Sequence, residues 1–229
     1  MAELSIAVFG GSFNPPTNAH MAIIRHLLSE LKLDKVLLVP CGKRDDKPHL
    51  ADENARVRML GLACREALQT EPAILTQGNE AGIFNRSDKL LIDDFELRGS
   101  AQMIPTAFLL QQYQNRFPGC QIYFVMGSDL LHSIDQWELF DAYLRFQNFI
   151  VYQRTDEKTA NHNLLENAMF VSNIAMKDVS STHIRKVLAR HFDAKSGTFF
   201  GLDKLEQDLN PYLCKELLGF IIQEGLYVK

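Results

Sequence analysis

Residues 4–31 read LSIAVFGGSFNPPTNAHMAIIRHLLSEL, and the change of period inside this stretch sets the fold. Leu4 to Phe9 is apolar apart from Ser5, the pattern of a strand buried on both faces. Gly10 and Gly11 follow at once, then Ser12, Phe13, Asn14 and the pair Pro15–Pro16. From Thr17 the period becomes helical: Met21, Ile24, Leu28 and Leu31 recur on one side, with Ile23 and Leu27 beside them. Thr17 or Asn18 is the expected cap. The order is therefore strand, glycine turn, helix N-terminus. The first helical N–H groups have no intrahelical partners and sit at the positive end of the helix dipole. Glycines let the backbone approach a ligand closely. A phosphate is the natural guest of such a site. His20 falls in the first helical turn, where it serves as a donor to phosphate oxygens rather than as a proton abstractor. The same turn also occurs in α/β proteins that hold no ligand. GGSFNP lacks the G-x-G-x-x-G spacing of dinucleotide sites, and no Gly-Lys-Ser/Thr of a P-loop follows.

Working outward, Lys35 to Pro40 (KVLLVP) is a second buried strand and completes a βαβ unit. The polar loop Cys41 to Ala51 places Lys43, Arg44 and Lys47 beyond the carboxyl end of that strand. Ligands of open α/β sheets bind at that end, although such a run also suits a solvated loop. Asp52 to Leu68 reads as a capped helix with Val57, Leu60, Ala63, Cys64 and Ala67 on one face. Of Arg56 and Arg58 on its first half, one is expected to point back at the loop and the other at solvent. A short strand is expected at Ala73 to Thr76, another at Leu90 to Leu97 before a turn at Arg98–Gly99, and a helix at Pro105 to Phe117. That helix is read with Phe108, Leu109 and Tyr113 on one side. Gln121 to Met126 (QIYFVM) is a buried strand running into Gly127, Ser128 and Asp129. Asp129 is either a ribose ligand or an ordinary N-cap. Trp137, the single tryptophan, either stacks on a flat heterocycle or belongs to the core.

Strands are further expected at Phe146 to Tyr152, ending at Arg154, and at Met169 to Asn173 on an edge. Ser180, Ser181 and Thr182 then stand before a helix with Ile184, Val187 and Leu188 inside and Arg185 in its first turn. Hydroxyls at a helix start both cap it and bind phosphate oxygens, and the guanidinium fork suits bidentate phosphate binding. A well-capped surface helix with an exposed arginine has the same pattern. Gly197 to Gly201 breaks the chain, and Leu205 to Leu226 reads as a helical tail with Pro211 near a helix start and Gly225 at its end. About five strands alternating with helices give an α/β fold, a Rossmann-like doubly wound parallel sheet with a small C-terminal helical extension. One domain is expected over 1–229, with the core at 1–178 and the helical part at 179–229.

A hydrophobic fraction of 46% in 229 residues supports a sizeable core. The net charge of -4 and the absence of a basic block argue against a nucleic-acid partner. No apolar run reaches the ~20 residues of a membrane helix, and no signal peptide is visible. Cys41, Cys64, Cys120 and Cys214 are widely spaced without a C-x-x-C, as expected for reduced thiols of a cytoplasmic protein and not for a zinc site. Composition leaves a homo-oligomer open.

Two phosphate-type helix starts far apart in one chain are the combination that matters. GGSFNPPTNAH at 10–20 resembles the (H/T)-x-G-H signature of the nucleotidylyltransferase superfamily, and VSSTHIR at 179–185 resembles its I-S-S-T-x-I-R signature. GSDLLHSIDQW at 127–137, the stretch from Lys47 through Arg56 to Met59–Leu60, and the closing FIIQEGLY are similar to nicotinate- and nicotinamide-mononucleotide adenylyltransferases. Departures are Ala19 in place of the signature glycine, Thr17 in place of its first histidine, and Asn14 in place of the commoner aspartate. The Y-T-[IV]-D-T-L segment is not matched at 103–110.

The resemblance implies adenylyl transfer from ATP to nicotinate or nicotinamide mononucleotide, giving deamido-NAD or NAD and pyrophosphate. It implies His20, Thr17 and Arg185 as catalytic residues. Gly10, Gly11, Gly127, Asp129, Ser181 and Thr182 would bind ATP, with Asp129 on the ribose. Ser12, Phe13, Lys47, Arg56 and Trp137 would bind the mononucleotide, with Trp137 on the pyridine. Mg2+ would arrive on the ATP phosphates with no protein metal cluster. Transfer to another phosphorylated acceptor such as phosphopantetheine, and a non-catalytic nucleotide-binding regulator, are the alternatives. The other histidines, His49 among them, are read as structural or solvated.

Overall fold

The computed structural model describes residues 4–44, 47, 49–75, 88–97, 104–153, 163–172 and 180–228. The turn at Arg98–Gly99 and the strand end at Arg154 lie outside these residues. The chain forms two compact units, one of Met1–Gly11, Ile23–Lys43 and Ala73–Ile174, the other of Ser12–Ala22, Arg44–Pro72 and Ala175–Lys229. The C-terminal helices thus cluster with the segment after the glycine turn and with the helix at 53–68.

The first unit is a parallel sheet. Its strands are β1 (Ser5–Gly11), β2 (Lys35–Pro40), β3 (Ala73–Leu75), β4 (Leu90–Asp93), β5 (Gln121–Gly127), β6 (Asn148–Tyr152) and β7 (Asn167–Val171). Their order is β3-β4-β2-β1-β5-β6-β7, so seven strands stand where about five were expected. All of the pairings in this sheet are parallel. The order reverses between β1 and β5, and an open α/β sheet offers its ligand crevice outside the carboxyl ends of strands at such a switch point. Gly11 closes β1 and Gly127 closes β5 on that side.

The core explains the strand sequences. Ile6, Val8, Leu37, Val39, Phe124 and Val151 fill one face together with Leu109, Leu110, Tyr113 and Phe117. These last come from and follow helix α3 (Thr106–Arg116). Ala7, Phe9, Val36 and Leu38 are buried as well, which is why these strands read as unbroken apolar runs. Helix α1 (Asn18–Ser29) contributes the fully buried Ile24 and Leu27.

Several boundaries differ from expectation. The strand at Leu90 stops at Asp93, because the Asp93 carboxylate accepts the Phe95 N–H at 3.0 Å and turns the chain into a 3-10 turn at Phe95–Leu97. β6 begins at Asn148, since Leu144–Phe146 forms another 3-10 turn. Phe108 is 39% exposed, and the inward face of α3 is Ala107, Leu109, Leu110 and Tyr113. Pro105 is the residue before that helix rather than in its first turn. Asp129 is not an N-cap: the turn Ser128–His132 starts after Gly127 without a side-chain cap.

In the second unit, α2 (Glu53–Leu68) is capped by Asp52, which accepts the Asn54 N–H at 2.9 Å. α4 (Ser181–Arg190) is capped by Ser180, which accepts the His183 N–H. A two-stranded hairpin, β8 (Phe192–Asp193) with β9 (Thr198–Phe199), leads into α5 (Leu202–Leu209) and α6 (Lys215–Gln223). The expected single tail is therefore two helices, with Pro211 in the turn between them.

Asp93 is fully buried and is held by the Arg116 guanidinium at 2.6 Å and the Tyr113 hydroxyl at 3.0 Å. Burial pushes its carboxyl above the usual carboxylate range, against the pull of Arg116 and Tyr113. The stability linked to its proton is therefore full below the unfolded value of about 3.9 and is lost as pH rises through the folded value. Removing Arg116 raises the folded value further. Arg116→Met is expected to cost about 3 kcal/mol at pH 7 and less at a lower pH, because acid favours the protonated form of a buried carboxyl left without its cation. Urea unfolding at the two pH values checks this, and an equal loss at both contradicts it.

Candidate functional site

The segment from Ser12 to Ala22 carries the site in the second unit. Phe13 takes a left-handed backbone, φ 45, which a bulky residue adopts only when its surroundings hold it. Its side chain is buried, and its ring meets the His20 ring edge-on at 5.3 Å between centroids. Asn14 is also buried. Its amide nitrogen donates to the His49 carbonyl at 3.1 Å, and its amide oxygen accepts the Ala51 N–H at 2.9 Å. The loop around 49–51 is thereby clamped to the turn.

Thr17 caps α1: its carbonyl accepts the Met21 N–H at 3.2 Å. Its own N–H donates to His20 Nδ1 at 2.9 Å, and its hydroxyl lies 2.8 Å from the same nitrogen. A ring nitrogen that accepts carries no proton, so the proton of the neutral imidazole sits on Nε2. The Asn18 N–H donates to the Tyr212 carbonyl at 2.8 Å, and the Asn18 side chain to the Pro211 carbonyl at 3.3 Å. Two of the donors expected to await an anion at this helix start are therefore engaged by the protein itself.

The second phosphate-type helix start closes on the first. Ser181 Oγ donates to the Pro15 carbonyl at 2.8 Å. Arg185 donates through Nη1 to the Asn14 carbonyl at 2.8 Å and through Nη2 to Thr182 Oγ1 at 3.0 Å. Lys47 Nζ donates to Ser12 Oγ at 2.9 Å. Arg56 is only 1% exposed, and its guanidinium donates to the carbonyls of Ser12 and Ala51, each at 3.2 Å. Arg58, the other arginine of this stretch, lies at the surface with its guanidinium 4.7 Å from the centre of the Phe220 ring.

These groups surround a cavity of about 440 Å3 lined by Ser12, Phe13, Asn14, His20, Lys47, His49, Leu50, Ser181, Thr182 and Arg185. The volume is in the range of small-molecule sites. Among the described residues that line it, two are fixed cations, two are histidines and none is a carboxylate. Such a lining attracts anions and offers a divalent cation little.

The cavity gathers seven of the residues read from the sequence: Ser12, Phe13, His20, Lys47, Ser181, Thr182 and Arg185. Thr17 lies behind His20, and Arg56 lies behind Ser12 as a support rather than in the lining. Gly10, Gly11, Gly127, Asp129 and Trp137 belong to the sheet unit. A side chain at 127 would collide with the Asp129 carboxylate, so glycine there is what allows Asp129 its position. Trp137 is half-buried and meets the Phe124 ring edge-on. Sequence reasoning missed Asn14, His49 and Leu50 as lining residues. His49 had one usable signal, its place two residues after Lys47 in the cationic loop.

The model of the cytidylyltransferase-like family matches residues 8–187. A probable nicotinate-nucleotide adenylyltransferase of Campylobacter fetus subsp. fetus is 30% identical over 187 residues, covering 81% of this chain and 87% of the relative. One of Clostridium tetani is 26% identical over 200 residues, covering 82% and 89%. Among solved structures, Plasmodium falciparum nicotinic acid mononucleotide adenylyltransferase complexed with APC shares the fold, with a TM-score of 0.70 at 22% identity over 98% of each chain.

Asn14→Ala removes both bonds of the clamp. It is expected to cost about 2 kcal/mol of stability, the scale of two net hydrogen bonds. The amide of Ala51 should lose its protection, which hydrogen exchange followed by NMR measures. An unchanged Ala51 rate would show that the clamp does not hold the loop.

Proposed function

The chain belongs to the cytidylyltransferase-like family, among its nicotinate-nucleotide adenylyltransferases, and on that premise we propose that it joins ATP to nicotinate mononucleotide. The products are deamido-NAD and pyrophosphate, a step of NAD biosynthesis. The observation that carries this reading is the cavity where the helix starts of α1 and α4 meet, with Lys47 and Arg185 in its wall and no carboxylate among the described residues that line it. The nicotinate form is chosen because the curated relatives bear that name; the nicotinamide form is the companion substrate to assay.

In this reaction a phosphate oxygen of the mononucleotide attacks the α-phosphorus of ATP. The bond to the bridging oxygen breaks, and pyrophosphate leaves with the electron pair. The attacking oxygen is already anionic, so no strong general base is needed. The protein's task is alignment and neutralisation of charge. Lys47 and Ser12, joined at 2.9 Å, suit the mononucleotide phosphate. Arg185, Ser181 and Thr182 suit the β- and γ-phosphates. His20, with its proton on Nε2, suits the α-phosphate, and Thr17 fixes the ring. From the sheet unit we assign Gly10 and Gly11 to the nucleotide, Gly127 and Asp129 to its ribose, and Trp137 to the pyridine. Mg2+ would come with ATP as part of the MgATP substrate, since the described residues of the cavity wall present cations and neutral groups rather than carboxylates.

No helix among the described residues is long and apolar enough to cross a membrane. We place the reaction in the cytoplasm, without nucleic-acid partners, on the net charge of -4 and the widely spaced thiols.

Pyrophosphate release with ATP and each mononucleotide tests the reading. His20→Ala should lower kcat/KM by about 100-fold or more, the scale of losing one transition-state donor. Arg185→Lys keeps the charge but not the fork and should still lose activity heavily and raise the KM for ATP. Wild-type turnover in either variant would remove that residue from the site, and no pyrophosphate with either mononucleotide would remove the function.

A further inference from the structure

The first turn of α1 is tied at one residue to the far end of the chain. The Asn18 N–H donates to the Tyr212 carbonyl at 2.8 Å, and the Asn18 side-chain amide donates to the Pro211 carbonyl at 3.3 Å. These carbonyls are consecutive and belong to the turn between α5 and α6. Asn18 is the first residue of α1. The opening residues of a helix have no intrahelical acceptor for their N–H groups, and an unanchored first turn frays. The backbone bond fixes where the turn sits. The second bond, from the side chain of the same residue, fixes its rotation as well.

The turn that supplies the carbonyls is itself held. The Tyr212 and Leu213 N–H groups both donate to the Leu209 carbonyl, at 2.8 and 2.9 Å. Leu209 and Leu213 are buried, so the turn cannot lift without exposing them. The Tyr212 ring meets the His183 ring edge-on at 6.2 Å between centroids. His183 stands in the first turn of α4, between Thr182 and Arg185 of the cavity wall. The Pro211–Tyr212 turn therefore touches both helix starts of the cavity, α1 through hydrogen bonds and α4 through a ring.

We propose that Asn18 is a positioning residue for His20, carrying the rigidity of the Pro211–Tyr212 turn to the imidazole. His20 lies two residues after Asn18, and its Nδ1 accepts the N–H of Thr17, the residue just before Asn18, at 2.9 Å. Both ends of that bond sit within two residues of the anchor. When the first turn rotates or frays, the Thr17 N–H leaves Nδ1. The ring can then exchange tautomers, and the Nε2 proton loses its direction. Asn18 is not among the described residues that line the cavity, so it acts through His20 rather than on a ligand. The effect on turnover rests on the proposed function; the effect on the His20 ring does not.

Asn18→Ala removes the side-chain bond and keeps the backbone one. Asn18→Asp keeps the shape but turns an acceptor toward the Pro211 carbonyl. The alanine variant should melt within about 4 °C of the wild type, the scale of one hydrogen bond. In 15N–1H spectra of the free protein, at a pH where the imidazole is neutral, wild-type His20 should show an unprotonated Nδ1 and a protonated Nε2. Asn18→Ala should move both signals toward a mixture of tautomers, and Asn18→Asp should move them further. In turnover, kcat should fall about threefold to tenfold in Asn18→Ala, with the KM for ATP within about twofold. A bond that only stabilises the fold would lower the melting temperature and leave the His20 signals and kcat alone. His20 signals unchanged in both variants overturn the proposal, as does wild-type kcat in both variants of an active enzyme. Altered His20 signals in a protein that releases no pyrophosphate uphold the positioning role and refute the function.

Discussion

A guanidinium shut away from water is tolerable only where the protein supplies acceptors, and Arg56 meets that demand with the backbone of the very loops that form the site. The Ser12 carbonyl belongs to the turn after β1, and the Ala51 carbonyl to the loop before α2. Holding both on one rigid planar group sets the distance between two walls of the cavity. Asn14 repeats the device with a neutral side chain, bridging the same turn to His49 and Ala51. Arg185 repeats it from α4 by holding the Asn14 carbonyl. The site is thus tied together through main-chain oxygens, which leaves its outward side chains available to differ without loosening the frame.

Such a frame suits a reaction whose chemistry asks little of the protein beyond placement. Charge is present before the transition state and is redistributed during it, so donors and cations fixed in advance need no reorganisation at the moment of transfer. Helix ends are often credited with this work. Here the Thr17 and Asn18 amides of the first helix are occupied by His20 and Tyr212. On the proposed reading the helix end therefore acts largely by orienting an imidazole, and side chains make the direct contacts.

How much of this was legible depended on whether the physics was local. The strand read at 4–9, the change to helical period at Thr17 and the capped start at Ser180 are written in consecutive residues; the last two stand where expected, and the strand does too except that it runs on through Gly10 and Gly11. The strand that ends at Asp93 was misread because its stop is set by a carboxylate bonding two residues on and by Arg116 from another helix. Phe108 was placed inward because a helical period cannot say which of two adjacent apolar residues faces the core. Asn14 looked like a mere substitution in a motif, since its partners at 49 and 51 are far off in sequence. Arg56 reads from the sequence as a mononucleotide ligand, and what the sequence does not show is that its guanidinium holds the Ser12 and Ala51 carbonyls, acceptors 44 and 5 residues away.

The unit that contains the cavity is assembled from three stretches, Ser12–Ala22, Arg44–Pro72 and Ala175–Lys229, separated in the chain by the sheet. A chain made from its N-terminus on the ribosome has the strands β1 to β7 of the parallel sheet in hand before Ser181, Thr182 and Arg185 emerge. Domains generally condense as units once their residues are available. The sheet can therefore begin to form during translation, while the anion cavity must wait for the final helices. Nascent chains consequently carry the glycine turn and its histidine for most of their synthesis without the arginine that completes the site. On the proposed reading, a chain that has not yet reached Arg185 would hold nucleotides poorly, so binding follows the making of α4.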